Sequence, residues 1–106
     1  MHQITDEEKD KGMNNISFTY ADLTRHVERA VGAFMTQAKG SKDERVRKAF
    51  ENQAKGVLVA WASLVYKPVI AQGDAAHEAH RQDHARMLDG VGLTDLAADI
   101  RSRAAQ

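Results

Sequence analysis

Residues 57–66 read VLVAWASLVY and form the longest apolar run of the 106-residue chain. Placed on a helix, this run is apolar on nearly every side, and such a helix must be covered on every side. In a three- or four-helix monomer it is the central helix, and in a smaller bundle it is a dimer interface. We predict that five of its side chains serve core packing or self-association: Val57, Leu58, Trp61, Leu64 and Val65.

The helix that contains this run has a start signal and an ambiguous end. Residues 41–44 read SKDE, which predicts a capping box in which Ser41 caps the first amides and Glu44 reaches back. Pro68 either ends the helix near Tyr66 or kinks it. Of the two, we prefer one kinked helix over residues 42–72.

Helical patterns also flank this segment. Apolar residues recur at three- and four-residue spacing between Leu23 and Ala38, which predicts a helix that starts at Ser17 or Thr19 and stops at Gly40. The short connection at residues 40–41 predicts that this helix and the next are antiparallel. Two shorter helices follow, over residues 75–88 and after the cap residue Thr94.

The predicted fold class is therefore all-α. We expect a small four-helix bundle built on a long antiparallel helical hairpin, with two shorter C-terminal helices. Residues 1–16 are polar, charged and aperiodic, which predicts a flexible N-terminal tail. Residues 17–106 then form a single helical domain, because a chain of this length has material for one core.

Composition narrows the functional classes. Fifteen basic and fifteen acidic side chains cancel, so the chain has no overall field that attracts nucleic acid or an anionic membrane. The absence of cysteine excludes disulfides, thiolate metal sites and cysteine nucleophiles. The apolar run is about half as long as a membrane span. We therefore expect a cytoplasmic protein that does not enter a membrane.

Three histidines carry the most unusual pattern. His77, His80 and His84 are spaced by three and four residues, so they fall within one narrow arc of a helix. Pairs at these spacings bind zinc, nickel or copper, but His77 and His84 lie roughly 10 Å apart along the axis. A metal site thus needs another ligand, such as His26, a carboxylate or a second subunit. The alternatives are ordinary half-buried histidines or a pH-responsive cluster.

A basic segment gives a third hypothesis. Lys42, Arg45 and Lys48 are candidates for phosphate contacts in a nucleic-acid accessory protein. The neutral net charge weighs against this role, and basic residues at a helix start are ordinarily solvated. No motif places a serine or threonine as a nucleophile, so we do not expect an enzyme.

The sequence favours a non-catalytic role. We predict a small protein–protein interaction or regulatory module of the adaptor or inhibitor type, such as a bacterial or phage accessory protein. Its partner is another protein or a second copy of the chain, contacted through a helical face. No cofactor is expected unless the histidines bind a metal. The two alternatives are a metal- or pH-responsive binding protein and a nucleic-acid accessory protein.

Overall fold

The computed structural model describes residues 18–104. Within that range the chain forms only helices: α1 (Tyr20–Gly40), α2 (Glu44–Ala71), α3 (Asp74–Gly90) and α4 (Thr94–Ala104). The all-α prediction is confirmed for these residues. The tail predicted over residues 1–16 lies outside the described residues.

The starts of the two long helices depend on different caps. The Thr19 hydroxyl accepts a hydrogen bond from the Asp22 amide at 3.1 Å, so Thr19 caps α1 as predicted. The prediction that Ser41 caps α2 is wrong. The carboxylate of Asp43 accepts a hydrogen bond from the backbone amide of Arg45 at 2.9 Å. The Ser41 hydroxyl instead donates a hydrogen bond to the backbone carbonyl of Asp43. A carboxylate next to the first helical turn also stabilises the positive end of the helix dipole.

The continuous helix preferred for the Pro68 segment is confirmed. α2 passes through Pro68 and ends three residues later, at Ala71. Gly73 then adopts a φ of 105°, which a residue with a Cβ rarely adopts, and it turns the chain into α3. Asp74 is the first residue of α3 and does not serve as its cap, because the cap position falls on Gly73.

The helices pack in chain order. The Trp61 indole of α2 donates to the Thr24 hydroxyl of α1 at 3.0 Å, and Phe34 stacks on Phe50 toward the other end of the pair. α3 packs on α2, and α4 packs on α3. The core therefore centres on the α1–α2–α3 contact, where Leu58 and Trp61 are the largest fully buried side chains.

The arrangement is flat. The Cα atoms span 54 × 42 × 15 Å, with a radius of gyration of 17.6 Å. A compact domain of 100 residues has a radius of gyration of about 13 Å. The buried residues of α2 share one side of the helix: Ala54, Leu58, Trp61, Val65 and Val69. The other side of α2 is exposed, so the helices formed by residues 18–104 do not enclose it as a central helix.

Candidate functional site

A polar junction joins the start of α1 to the middle of α3. We use this name for Tyr20, His80, Asp83 and Arg86. The Tyr20 hydroxyl donates to the Asp83 carboxylate at 2.7 Å and lies 3.3 Å from Nδ1 of His80. Arg86 donates to the other Asp83 oxygen at 2.8 Å and also bonds to Glu28 of α1. Two helices distant in sequence are therefore held together by charge-assisted hydrogen bonds.

Burial and hydrogen bonding fix the protonation states of Tyr20 and Arg86 in the polar junction. Burial raises the pKa of the Tyr20 phenol well above its usual value, and the bond to Asp83 raises it further. The hydrogen bonds to Glu28 and Asp83 raise the pKa of the Arg86 guanidinium. At neutral pH, Tyr20 is therefore a neutral donor and Arg86 is a cation. Proton exchange by either group is unfavourable, which indicates a structural role.

A histidine pocket of about 350 Å³ opens between α2, α3 and α4. His80 forms its deepest wall, because this side chain is buried and packs against Trp61 with ring centroids 4.9 Å apart. The His84 ring stacks on His80, and His77 meets the ring of Tyr66 edge-on. The lining contains six polar and two apolar residues: Tyr66, His77, His80, Arg81, His84, Arg103, Ala62 and Ile100.

Two histidines of this pocket, His80 and His84, are predominantly neutral at pH 7. Desolvation lowers the pKa of His80, and the neighbouring His84 lowers it further. Desolvation also lowers the pKa of His84. The cause in both cases is the packing of the imidazoles against the aromatic core.

The three predicted metal ligands thus meet in one pocket without forming a coordination centre. Among residues 18–104, no group of three or more histidine, aspartate or glutamate side chains is placed to hold a metal ion. His26, the suggested fourth ligand, is exposed on α1 and does not line the pocket. The zinc, nickel or copper site stays a prediction without geometric support from the described residues.

The exposed side of α2 is apolar and defines what we call the open face: Gly56, Val59, Ala60, Ser63, Leu64, Tyr66 and Ile70. The exposed fractions of its large side chains are 65% for Val59, 68% for Leu64, 52% for Tyr66 and 45% for Ile70. Lys67 is the only charged residue between positions 56 and 71. An apolar groove of about 830 Å³ continues from Leu64 toward Phe18, Leu23 and Pro68.

The open face overlaps only in part with the five residues predicted for core packing or self-association. Leu58, Trp61 and Val65 are buried within the chain, so they serve packing, and Val57 is partly buried. Only Leu64 of the five predicted residues lies on the open face. Val59, Tyr66 and Ile70 lie outside that predicted set, and their spacing of seven and four residues places them on one side of the helix.

The three basic residues predicted to contact nucleic acid lie far from the histidine pocket. Lys42, Arg45 and Lys48 are exposed around the start of α2, and Lys48 forms a surface ion pair with Glu44 at 3.6 Å. About 30 Å of helix separates Arg45 from Tyr66. The structure therefore does not bring the basic segment to the histidine pocket.

One helix satisfies the length and composition of a membrane span. The best 18-residue window of α2 has a mean hydropathy of 1.3, and 28% of that window is buried. The core helix of a soluble protein meets the same criterion. The main feature of α2 is thus an apolar surface larger than the other described helices cover.

Comparison with known proteins assigns no family to this chain. No family model matches it, and neither a curated protein nor a solved structure does. Its function is therefore inferred from the open face of α2 and from the histidine pocket.

Proposed function

We propose that this protein is a non-catalytic protein–protein interaction module of the regulatory type, and that it forms a homodimer through the open face of α2. The observation that carries the proposal is the exposure of Val59, Leu64, Tyr66 and Ile70 on one helix. In the same proposal the protein is cytoplasmic, and α1 and α2 form the antiparallel hairpin of a four-helix bundle.

The energetics of exposure favour a covered state. Complete burial of a valine, leucine or isoleucine side chain contributes about 1.5–3 kcal/mol. Soluble monomers seldom expose contiguous apolar patches of this kind unless the patch binds something. A partner that covers the open face therefore gains from several large side chains at once.

The distribution of side-chain sizes favours a second copy as the partner. The large residues Tyr66 and Ile70 lie toward the end of the open face, and the small residues Gly56 and Ala60 lie toward its start. If two α2 helices cross antiparallel with Ser63 facing Ser63, Tyr66 lies opposite Ala60 and Ile70 lies opposite Gly56. Each of these two pairs then occurs once in either half of the two-fold interface, and the same register places Lys67 opposite Val59.

Gly56 supports the same arrangement. A glycine inside a helix costs roughly 0.5–1 kcal/mol relative to alanine. A Cβ added at Gly56 would meet nothing within 4 Å, so the packing of the chain itself does not require glycine there. Close approach of a second α2 gives this position a reason to be small.

A cysteine cross-link tests the proposed pairing, because the natural chain has no cysteine. Ser63→Cys places two thiols opposite each other across the two-fold axis, within reach of a disulfide. We expect mild oxidation to convert this variant to a covalent dimer, as seen on a non-reducing gel. Ala98→Cys, on the exposed side of α4, is the matched control and should stay monomeric.

Two outcomes would contradict the proposed homodimer. One is equal cross-linking of Ser63→Cys and Ala98→Cys, which would indicate random collision. The other is a monomeric Ser63→Cys protein that sediments with lipid vesicles, which would assign the open face to a membrane.

A further inference from the structure

The charged side chains that line the histidine pocket are positive, whereas a cation site needs negative ones. Its lining contains the guanidinium groups of Arg81 and Arg103 together with three imidazoles and the phenol of Tyr66. Among residues 18–104, no carboxylate lines it. Two fixed positive charges repel a metal ion, whereas guanidinium groups bind carboxylate and phosphate groups through paired hydrogen bonds.

The acidic groups near the pocket leave its cations accessible. Glu78 lies 3.5 Å from Arg81, at the limit of a hydrogen bond, and its other oxygen accepts from Gln82. Asp99 pairs with Arg103 at the protein surface. Exposed ion pairs of this kind contribute little to stability, so an incoming anion can replace or share them.

The remaining nearby groups do not neutralise the pocket. Asp83 points its carboxylate toward Tyr20 and Arg86 in the polar junction. That carboxylate is therefore already bonded to a phenol and a guanidinium on the α1 side of α3. The charged groups that line the pocket are therefore the guanidinium groups of Arg81 and Arg103, and the carboxylates paired with them lie outside the lining.

The size of the pocket and the apolar part of its lining indicate what besides an anionic group a ligand would contain. A volume of about 350 Å³ lies at the small end of the range for small-molecule sites. Ala62 and Ile100 provide an apolar surface on the α2 and α4 sides, and the ring of Tyr66 provides an aromatic one. An inorganic ion would leave this surface uncovered.

From these observations we propose that the histidine pocket binds a small organic anion. Its carboxylate or phosphate group pairs with Arg81 and Arg103, and its apolar body lies against Ala62 and Ile100. The imidazoles of His77 and His84 donate further hydrogen bonds to the anion. The residues that contact the anion belong to one chain, and the pocket shares only Tyr66 with the open face, so this inference and the homodimer can fail separately.

An NMR titration with three probes tests this proposal. Phenyl phosphate carries both the anion and the apolar ring, inorganic phosphate carries only the anion, and benzyl alcohol carries only the ring. We expect phenyl phosphate to shift the imidazole signals of the pocket histidines saturably, with a dissociation constant of about 1 mM or tighter. Inorganic phosphate should bind more weakly, and benzyl alcohol should not saturate.

Charge-removing variants locate the binding. Arg81→Gln and Arg103→Gln should each weaken phenyl phosphate binding severalfold, and the double variant should abolish it. Arg45→Gln removes the same charge at the distant start of α2 and should leave binding unchanged. If the double variant loses its helical circular dichroism, the two single variants decide the test.

Three results would overturn the assignment of an anion site. They are the absence of saturable shifts with phenyl phosphate, equal binding of benzyl alcohol, and a loss of affinity in Arg45→Gln as large as that in Arg81→Gln. The last result would indicate general charge attraction. A dimer that forms normally but binds no phenyl phosphate would reject this proposal and leave the homodimer standing.

Discussion

The two sides of α2 carry similar side chains and have opposite surroundings. On one side, Leu58, Trp61 and Val65 are buried against α1 and α3. On the other side, Val59 and Leu64 are largely exposed to solvent. Apolar composition alone therefore does not distinguish a core from a binding surface. The helical position of each residue relative to the neighbouring helices makes that distinction.

The largest expected effect comes from the buried side. Trp61→Ala removes the largest fully buried side chain and leaves the Thr24 hydroxyl without its donor. We expect the free energy of unfolding to fall by about 3–5 kcal/mol. Urea denaturation followed by circular dichroism measures this change.

Val59→Ala on the open face is the matched comparison. Measured at a dilution at which the chain is monomeric, it should change the free energy of unfolding by less than about 0.5 kcal/mol. Equal losses in Trp61→Ala and Val59→Ala would mean that the two sides of α2 are not different.

The polar junction should give the next largest effect. Tyr20→Phe removes one hydroxyl and with it the bond to Asp83 at 2.7 Å. We expect a loss of about 1–3 kcal/mol, since the partly buried carboxylate of Asp83 loses a donor. The same urea titration measures it. A loss as small as that of Val59→Ala would show that this bond does not hold α1 on α3.

The buried histidines should make stability depend on pH. Desolvation lowers the pKa of His80 and His84 in the folded protein. Below about pH 6.5 the unfolded chain therefore binds more protons than the folded protein does. The free energy of unfolding should therefore fall as the pH falls through that value. At pH values below the pKa values of His80 and His84 in the folded protein, these two groups should no longer change the free energy of unfolding.

His80→Gln identifies the source of this pH dependence. The difference between the free energies of unfolding at about pH 7.5 and about pH 5.5 should be smaller in this variant than in the natural chain. His26→Gln, on the exposed side of α1, should keep the full difference. An undiminished pH dependence in His80→Gln would assign the effect to other groups.

Within the polar junction, the smallest expected effect belongs to its surface end. Arg86 pairs with Asp83 and Glu28 but is half exposed, and exposed pairs contribute about 0–1 kcal/mol. Arg86→Gln should therefore lower the free energy of unfolding by no more than about 1 kcal/mol. The loss should shrink in high salt, because salt screens exposed charges. A salt-independent loss larger than that of Tyr20→Phe would contradict this ranking.

The helix boundaries followed from local sequence. Thr19, Gly40 and Gly73 mark ends of helices through the shape of the chain within a few residues. The cap of α2 was misplaced because Ser41 and Asp43 both suit the role, and only the backbone decides between them. Local signals of this kind predict elements well and do not predict how the elements pack.

Local sequence patterns could not predict the contacts of the candidate site. Tyr20 and Asp83 are separated by 63 positions, and no spacing rule connects them. The histidine spacing correctly placed three imidazoles near one another. It carried no information on Arg103 of α4, which joins them only after α4 folds back beside α3. The anion proposal depends on this distant residue together with Arg81, which lies on the same helix as the histidines.

The central claim is that the open face of α2 is covered by a second copy of the chain. Sedimentation equilibrium of the natural chain and of Ile70→Glu tests it most directly. We predict twice the mass of one chain for the natural protein and the mass of one chain for Ile70→Glu, with unchanged helical circular dichroism in both. A natural chain that stays monomeric at all concentrations, or an Ile70→Glu variant that dimerises equally well, would contradict the claim.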